Sequence, residues 1–142
     1  MAIYFTTHEV KFLLKNKRKI VNWIKEVVFK NDRKIGDITI VFSNDNYILK
    51  INNQYLKHDY FTDIITFDYS TERKIEGDIF ISLDTVLSNS IKYKTAFNNE
   101  LLRVIIHGIF HLIGFKDKTD KEKEEMRKRE SESLDLYFKS NE

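Results

Sequence analysis

The chain contains no cysteine and no proline. Without cysteine there are no disulfides and no thiolate ligands, so a bound metal must be held by histidine and carboxylate. A cysteine-free chain is compatible with a reducing compartment, and the expected location is the cytoplasm. The missing proline carries no functional message. No apolar run approaches the ~20 residues that a membrane span requires. The opening Met1-Ala2-Ile3-Tyr4-Phe5-Thr6 lacks the basic-then-apolar pattern of a secretory signal, so no membrane partner is expected. There is no internal repeat, low-complexity tract or linker. Neither sign of charge dominates, since 24 basic and 22 acidic residues leave a net charge of +2. That balance gives only mild support for a nucleic-acid partner. Lys11, Lys15, Lys17, Arg18 and Lys19 do cluster, and they read most simply as a solvated helix entry.

What is present is a soluble globular composition, 42% hydrophobic and 32% charged, over 142 residues. That length predicts one domain, 1–142, able to bury its own core. Its most telling stretch is His107-Gly108-Ile109-Phe110-His111-Leu112-Ile113-Gly114-Phe115-Lys116-Asp117. From Leu101 to Ile113 almost no polar face remains, the mark of a helix packed on several sides. His107 and His111 stand four residues apart, one above the other on one helix face. Buried imidazoles need partners. Separately, each would be an ordinary hydrogen-bonded core histidine; together they can share a metal ion. Gly114 suits the left-handed position past a helix end, and the turn it makes can bring Asp117 back as a third ligand. Three protein ligands leave a fourth zinc position for water, which is the catalytic pattern. Gly108 stands where zinc peptidases of the His-Glu-x-x-His type carry a general base, and it has no side chain to abstract a proton.

Along the chain, Ile3-Tyr4-Phe5 suggests a first strand. Asn16 is the expected cap of a helix with Ile20, Trp23, Ile24, Val27 and Val28 as its apolar stripe, ending at Asn31-Asp32. Strands are expected over 37–42, 64–69 and 77–82, with a charged turn from Ser70 to Glu76. Ser43, Asp84 and Asn98 are the expected caps of further helices. The first of these carries Tyr47, Ile48 and Ile51 inward, the second Val86, Leu87 and Ile91, and the third is the histidine helix. Thr119 and Glu122 form a capping box for a final helix with Met126, Leu134 and Phe138 towards the body. The predicted fold is α+β, a small mixed sheet packed with about five helices.

Three blocks then resemble the bacterial YbeY family of metal-dependent endoribonucleases and rRNA maturation factors. They are 52–67, including Thr62-Asp63-Ile64-Ile65-Thr66-Phe67; Gly77-Asp78-Ile79-Phe80-Ile81-Ser82; and His107 to Phe115. Their order and spacing fit across most of the chain. Two places depart from the family pattern. Asp117 occupies the place of a third histidine ligand, and a carboxylate is an acceptable zinc ligand. Leu56 stands where the family has an arginine; Lys57 or His58 could supply the positive or proton-transferring group, or both could be ordinary loop residues.

The resemblance implies a single-strand-specific endoribonuclease of ribosomal RNA maturation and ribosome quality control. One ion, expected to be Zn2+ with other divalent metals as alternatives, would activate water for phosphodiester hydrolysis. The implied partners are ribosomal RNA of the small subunit and ribosome-associated proteins. Thr62, Asp63 and Arg103 are candidate substrate contacts, although Arg103 fits equally a structural ion pair with Glu100. Two other function classes stay open: a ribosome-assembly binding factor with a structural metal, and a zinc peptidase or other metallohydrolase. Gly108 counts against the last of these.

Overall fold

The computed structural model describes residues 2–56 and 62–139. Its elements are β1 (Ile3–Thr7), α1 (Lys17–Lys30), β2 (Lys34–Ser43), α2 (Asp45–Leu56), β3 (Ile64–Asp68), β4 (Lys74–Ser82), α3 (Leu83–Lys92), α4 (Phe97–Ile113) and α5 (Asp120–Lys139). The strands form one sheet in the order β1-β2-β4-β3. β1 and β2 run parallel, as do β2 and β4, while β3 pairs antiparallel with β4 as the edge. This is the expected α+β mixed sheet with five helices. Lys57 and His58 lie outside the described residues.

Strand alternation divides the core between the two faces of the sheet. On one face Ile38, Ile40, Ile79 and Ile81 meet α4 and α1 in the main core. On the other, Ile65 joins Ile48 and Ile51 of α2, with Phe67 and Phe80 at the margin. α4 packs on the sheet, and Gly108 is a point of close approach between them. A Cβ there would lie 2.8 Å from Ile64 Cδ1 and 3.1 Å from Ile79 Cδ1. The residue is therefore a packing glycine facing the sheet, and a peptidase-type base has no room in its place. At Gly77 a Cβ would lie 2.3 Å from the Phe67 carbonyl oxygen and 2.9 Å from Leu112 Cδ2, so the hairpin and α4 both depend on its absence.

The helices form where expected, but several caps move. The α1 stripe is buried in full, yet Asn16 adopts φ 61° and makes no side-chain cap hydrogen bond. Asn44, not Ser43, caps α2: its Oδ1 accepts from the Tyr47 N–H at 2.9 Å, while the Ser43 hydroxyl donates to the His8 carbonyl at 2.6 Å. Ser82, not Asp84, caps α3 by accepting from the Thr85 N–H. The Asp84 carboxylate accepts instead from the Asp45 N–H at 3.0 Å, tying α3 to α2. α4 begins before Asn98, with Ala96 in the cap position. β4 begins at Lys74, so the charged turn ends earlier than Glu76. α3 buries Val86 and Ser90 only, which leaves Leu87 50% and Ile91 70% exposed rather than inward. On α5, Tyr137 is buried in place of Phe138, in register with Met126, Glu130 and Ser133. The Thr119–Glu122 capping box forms as expected, with the Thr119 N–H donating to Glu122 Oε1 at 2.9 Å and the Glu122 N–H to Thr119 Oγ1 at 3.1 Å.

Candidate metal centre

His107 and His111 project from α4 one turn apart. The helix ends at Gly114, whose φ of 119° is open to glycine and costly for other residues. Its N–H donates to the Phe110 and His111 carbonyls, and the Phe115 N–H donates to the Phe110 carbonyl at 3.0 Å. These bonds satisfy the otherwise orphaned carbonyls of the last turn and reverse the chain. The reversal returns Asp117 to the two rings. His107 Nε2 lies 2.9 Å from His111 Nε2, Asp117 Oδ2 lies 3.2 Å from the first ring, and it lies 3.5 Å from the second. Ligands held tetrahedrally at zinc distances would stand about 3.3 Å apart. The triangle brackets that value, so the donor set fits a zinc-sized ion with one corner open.

The outer nitrogens are tied as well. His107 Nδ1 donates to Glu130 Oε2 at 2.5 Å, and His111 Nδ1 donates to the Phe115 carbonyl at 3.1 Å. Both bonds fix the tautomer that leaves Nε2 free as a metal ligand. Glu130 comes from α5 and is buried. It also accepts from Arg103 Nη1 at 2.9 Å, and Arg103 Nε donates in turn to Glu100 Oε1 at 3.0 Å. A row of alternating charge, Glu100–Arg103–Glu130–His107, thus joins two buried carboxylates through the half-buried Arg103 and ends at the first ring.

This row sets the protonation of the protein without a metal. Burial disfavours the charged form of His107, but the hydrogen bond and charge of Glu130, helped by Asp117 and Asp63, outweigh it and raise its pKa. Burial would raise the pKa of Glu130, yet His107 and Arg103 hold it below the ordinary carboxylate range. Burial and then the neighbouring charge of His107 lower the pKa of His111. For Asp63, burial dominates and raises the pKa, with His107 and Arg103 offsetting part of it.

The structure therefore brings His107, His111 and Asp117 together. Asp63 lies within the electrostatic reach of His107, and its carbonyl accepts from the Ser82 N–H at 2.9 Å. The Thr62 hydroxyl turns to the Ile64 carbonyl. Arg103 is ion-paired with Glu130 and with Glu100, the second being the structural pair that its spacing also allowed. Glu130, the buried carboxylate bonded to His107, is the residue of the candidate site that sequence reasoning missed. Its one local signal was the spacing from Met126 on the buried side of α5.

The family described as Endoribonuclease YbeY matches this chain over residues 3–137. Endoribonuclease YbeY of Azobacteroides pseudotrichonymphae is 47% identical over 135 residues, covering 95% of this chain and 97% of that protein. Endoribonuclease YbeY of Bacteroides thetaiotaomicron is 46% identical over 134 residues, covering 94% and 98%. A solution structure of a protein from Thermotoga maritima aligns with a TM-score of 0.69 at 24% identity, covering 99% of this chain and 93% of that one. The last comparison bears on the fold.

Proposed function

Because the chain belongs to the YbeY endoribonuclease family, we propose that it is a metal-dependent endoribonuclease that hydrolyses single-stranded RNA in ribosomal RNA maturation. The whole chain, 1–142, acts as one domain in this reading. The substrate is ribosomal RNA of the small subunit, met in the cytoplasm together with ribosome-associated proteins. Among the described residues no helix is long and apolar enough to cross a membrane.

The observation that carries the proposal is the convergence of three ligand atoms from His107, His111 and Asp117, all within 4.8 Å of one another. They would hold one Zn2+ ion. Bound there, the ion would supply the electrophilic and water-activating chemistry of metal-assisted phosphodiester hydrolysis. The protein's own groups do the rest. Glu130 and the Phe115 carbonyl aim the two rings. Asp117 adds a negative charge that a third histidine would lack, which favours harder divalent ions as alternatives. Asp63 is a half-buried carboxyl within electrostatic reach of His107, and burial raises its pKa above the ordinary carboxylate value. Lys57 and His58 remain candidates for contacting the phosphate or transferring a proton.

A second reading, a ribosome-assembly factor whose metal is structural, is favoured by Leu56 standing where the family has an arginine. Metal-loaded protein assayed on single-stranded and structured RNA separates the two. The expected result is cleavage that survives rigorous nuclease removal and disappears in His111→Ala. RNA or ribosome binding with no cleavage would establish the assembly factor instead.

A further inference from the structure

The metal centre leaves one aromatic cleft unused. α2 covers its face of the sheet at Ile65, but along its flank a cleft of about 470 Å3 stays open against β3 and β4. Tyr55 of α2, Phe67, Phe80 and Tyr69 wall it, and Lys50 and Asp78 bring one charge of each sign. Tyr55 is 63% and Tyr69 61% exposed, so two rings of the wall are open to solvent. The Tyr55 and Phe67 rings meet at 5.9 Å and 85°, and Phe67 and Phe80 at 5.7 Å and 90°. Perpendicular contacts leave ring faces available to a further flat group. Asp78 is half-buried here. The Tyr69 hydroxyl stands 3.5 Å from its Oδ2, and among the described residues it has no closer polar partner.

Each feature specifies part of a ligand. Open aromatic faces take a planar π system, and nucleobases stack on them whatever their sequence. An ionised carboxylate only accepts hydrogen bonds. It therefore matches a base edge with two adjacent N–H donors, which guanine presents and uracil does not. A lysine at the same cleft suits a phosphate. Continuity with the metal centre runs through β3, the edge strand. Phe67 faces the cleft, Ile64 faces α4, and Asp63 precedes the strand beside His107. Phe67 and Ile64 point to opposite faces of β3, so the cleft and α4 stand on opposite sides of the sheet, and a single RNA strand reaches both only by passing round the β3 edge.

Resting on the reading of this chain as an enzyme of single-stranded RNA, we propose that the cleft binds a guanine of the substrate strand, on the far side of the β3 edge from the cleaved bond. The aromatic walls stack on the base, Asp78 accepts from its N1–H and amino group, and Lys50 meets the neighbouring phosphate. The cleft then gives the enzyme a sequence preference that the metal centre cannot supply.

The test uses full-length, metal-free protein and two six-nucleotide RNAs, one of uridines with a single guanosine and one of uridines alone. Binding is followed by NMR of the tyrosine rings. The guanosine RNA should bind about 10-fold tighter and shift the Tyr55 and Tyr69 resonances. Tyr69→Ala and Asp78→Asn, checked for unchanged melting temperature, should each remove that margin and leave cleavage of guanine-free RNA intact. Equal affinity for both RNAs, or binding untouched by either substitution, overturns the proposal. So does a cleft that responds to an extended peptide and not to RNA. If metal-loaded protein still cleaves RNA in those outcomes, the cleft proposal falls alone; if it neither binds nor cleaves RNA, the endoribonuclease reading falls with it.

Discussion

Glu130 lies 23 positions beyond His107, yet its carboxylate holds His107 Nδ1 at 2.5 Å. The pair has a definite pH signature in metal-free protein. His107 has a raised pKa, so its contribution to stability is complete below the unfolded value of about 6.5 and fades as pH rises through the raised value. Glu130 has a lowered pKa, so its contribution is complete above about 4.3 and fades as pH falls through the lowered value. Urea denaturation of metal-free wild type and Glu130→Gln should therefore differ most between about pH 4.3 and 6.5. A constant difference across pH 4 to 9 would remove the pair from the account. The same substitution should weaken metal binding by about 10-fold or more, since an outer carboxylate orients and enriches the ligand it touches. Asp117→Ala should also lose about 10-fold or more of metal affinity, because two histidines leave the site incomplete. Elemental analysis and chelator competition read both effects. Unchanged metal content in Asp117→Ala would exclude Asp117 as a ligand.

At the scale of elements, what the sequence makes legible follows how local each signal is. The histidine pair, the helix-ending glycine and Asp117 are joined by one turn of helix and one reversal, so spacing alone was enough to find them. The Thr119–Glu122 box is equally local. Glu130 was hidden because α5 carries many glutamates and only the packing of α5 on α4 singles it out. Cap positions slipped where Ser43 and Asn44, or Ser82 and Asp84, compete with similar propensities; cross-contacts to His8 and Asp45 decided between them. Leu87 and Ile91 fit an inward stripe by periodicity, but α3 meets the body along the Val86–Ser90 line. Gly77 offers a test of the hairpin. Gly77→Ala would drive a Cβ to 2.3 Å from the Phe67 carbonyl, a backbone atom that cannot swing aside. The expected cost is about 1–3 kcal/mol by urea denaturation, and a neutral result would mean that the β3–β4 pairing is looser than this geometry.

On the scale of the whole molecule, the proposed metal ties α4 to the connection leading into α5. Its removal should therefore be felt globally. Metal at about 100 times its dissociation constant should add about 2.7 kcal/mol to the stability of the folded chain. Thermal melting with and without a chelator should show a clear loss on stripping, reversed by adding Zn2+. A melting temperature indifferent to the metal would mean that the folded chain binds it no better than the unfolded one, and would remove the metal site from the account. The near-neutral charge bears on RNA binding at the same scale. With a net charge of +2, long-range attraction contributes little, so affinity must come from short-range contacts at defined places.

The order of translation gives the Glu130–His107 bond one more meaning. α4 leaves the ribosome before α5 does. A nascent chain at that stage already carries both imidazoles but lacks the carboxylate that aims one of them. In this order of synthesis, the bond that orients His107 forms only once the later helix has docked on α4.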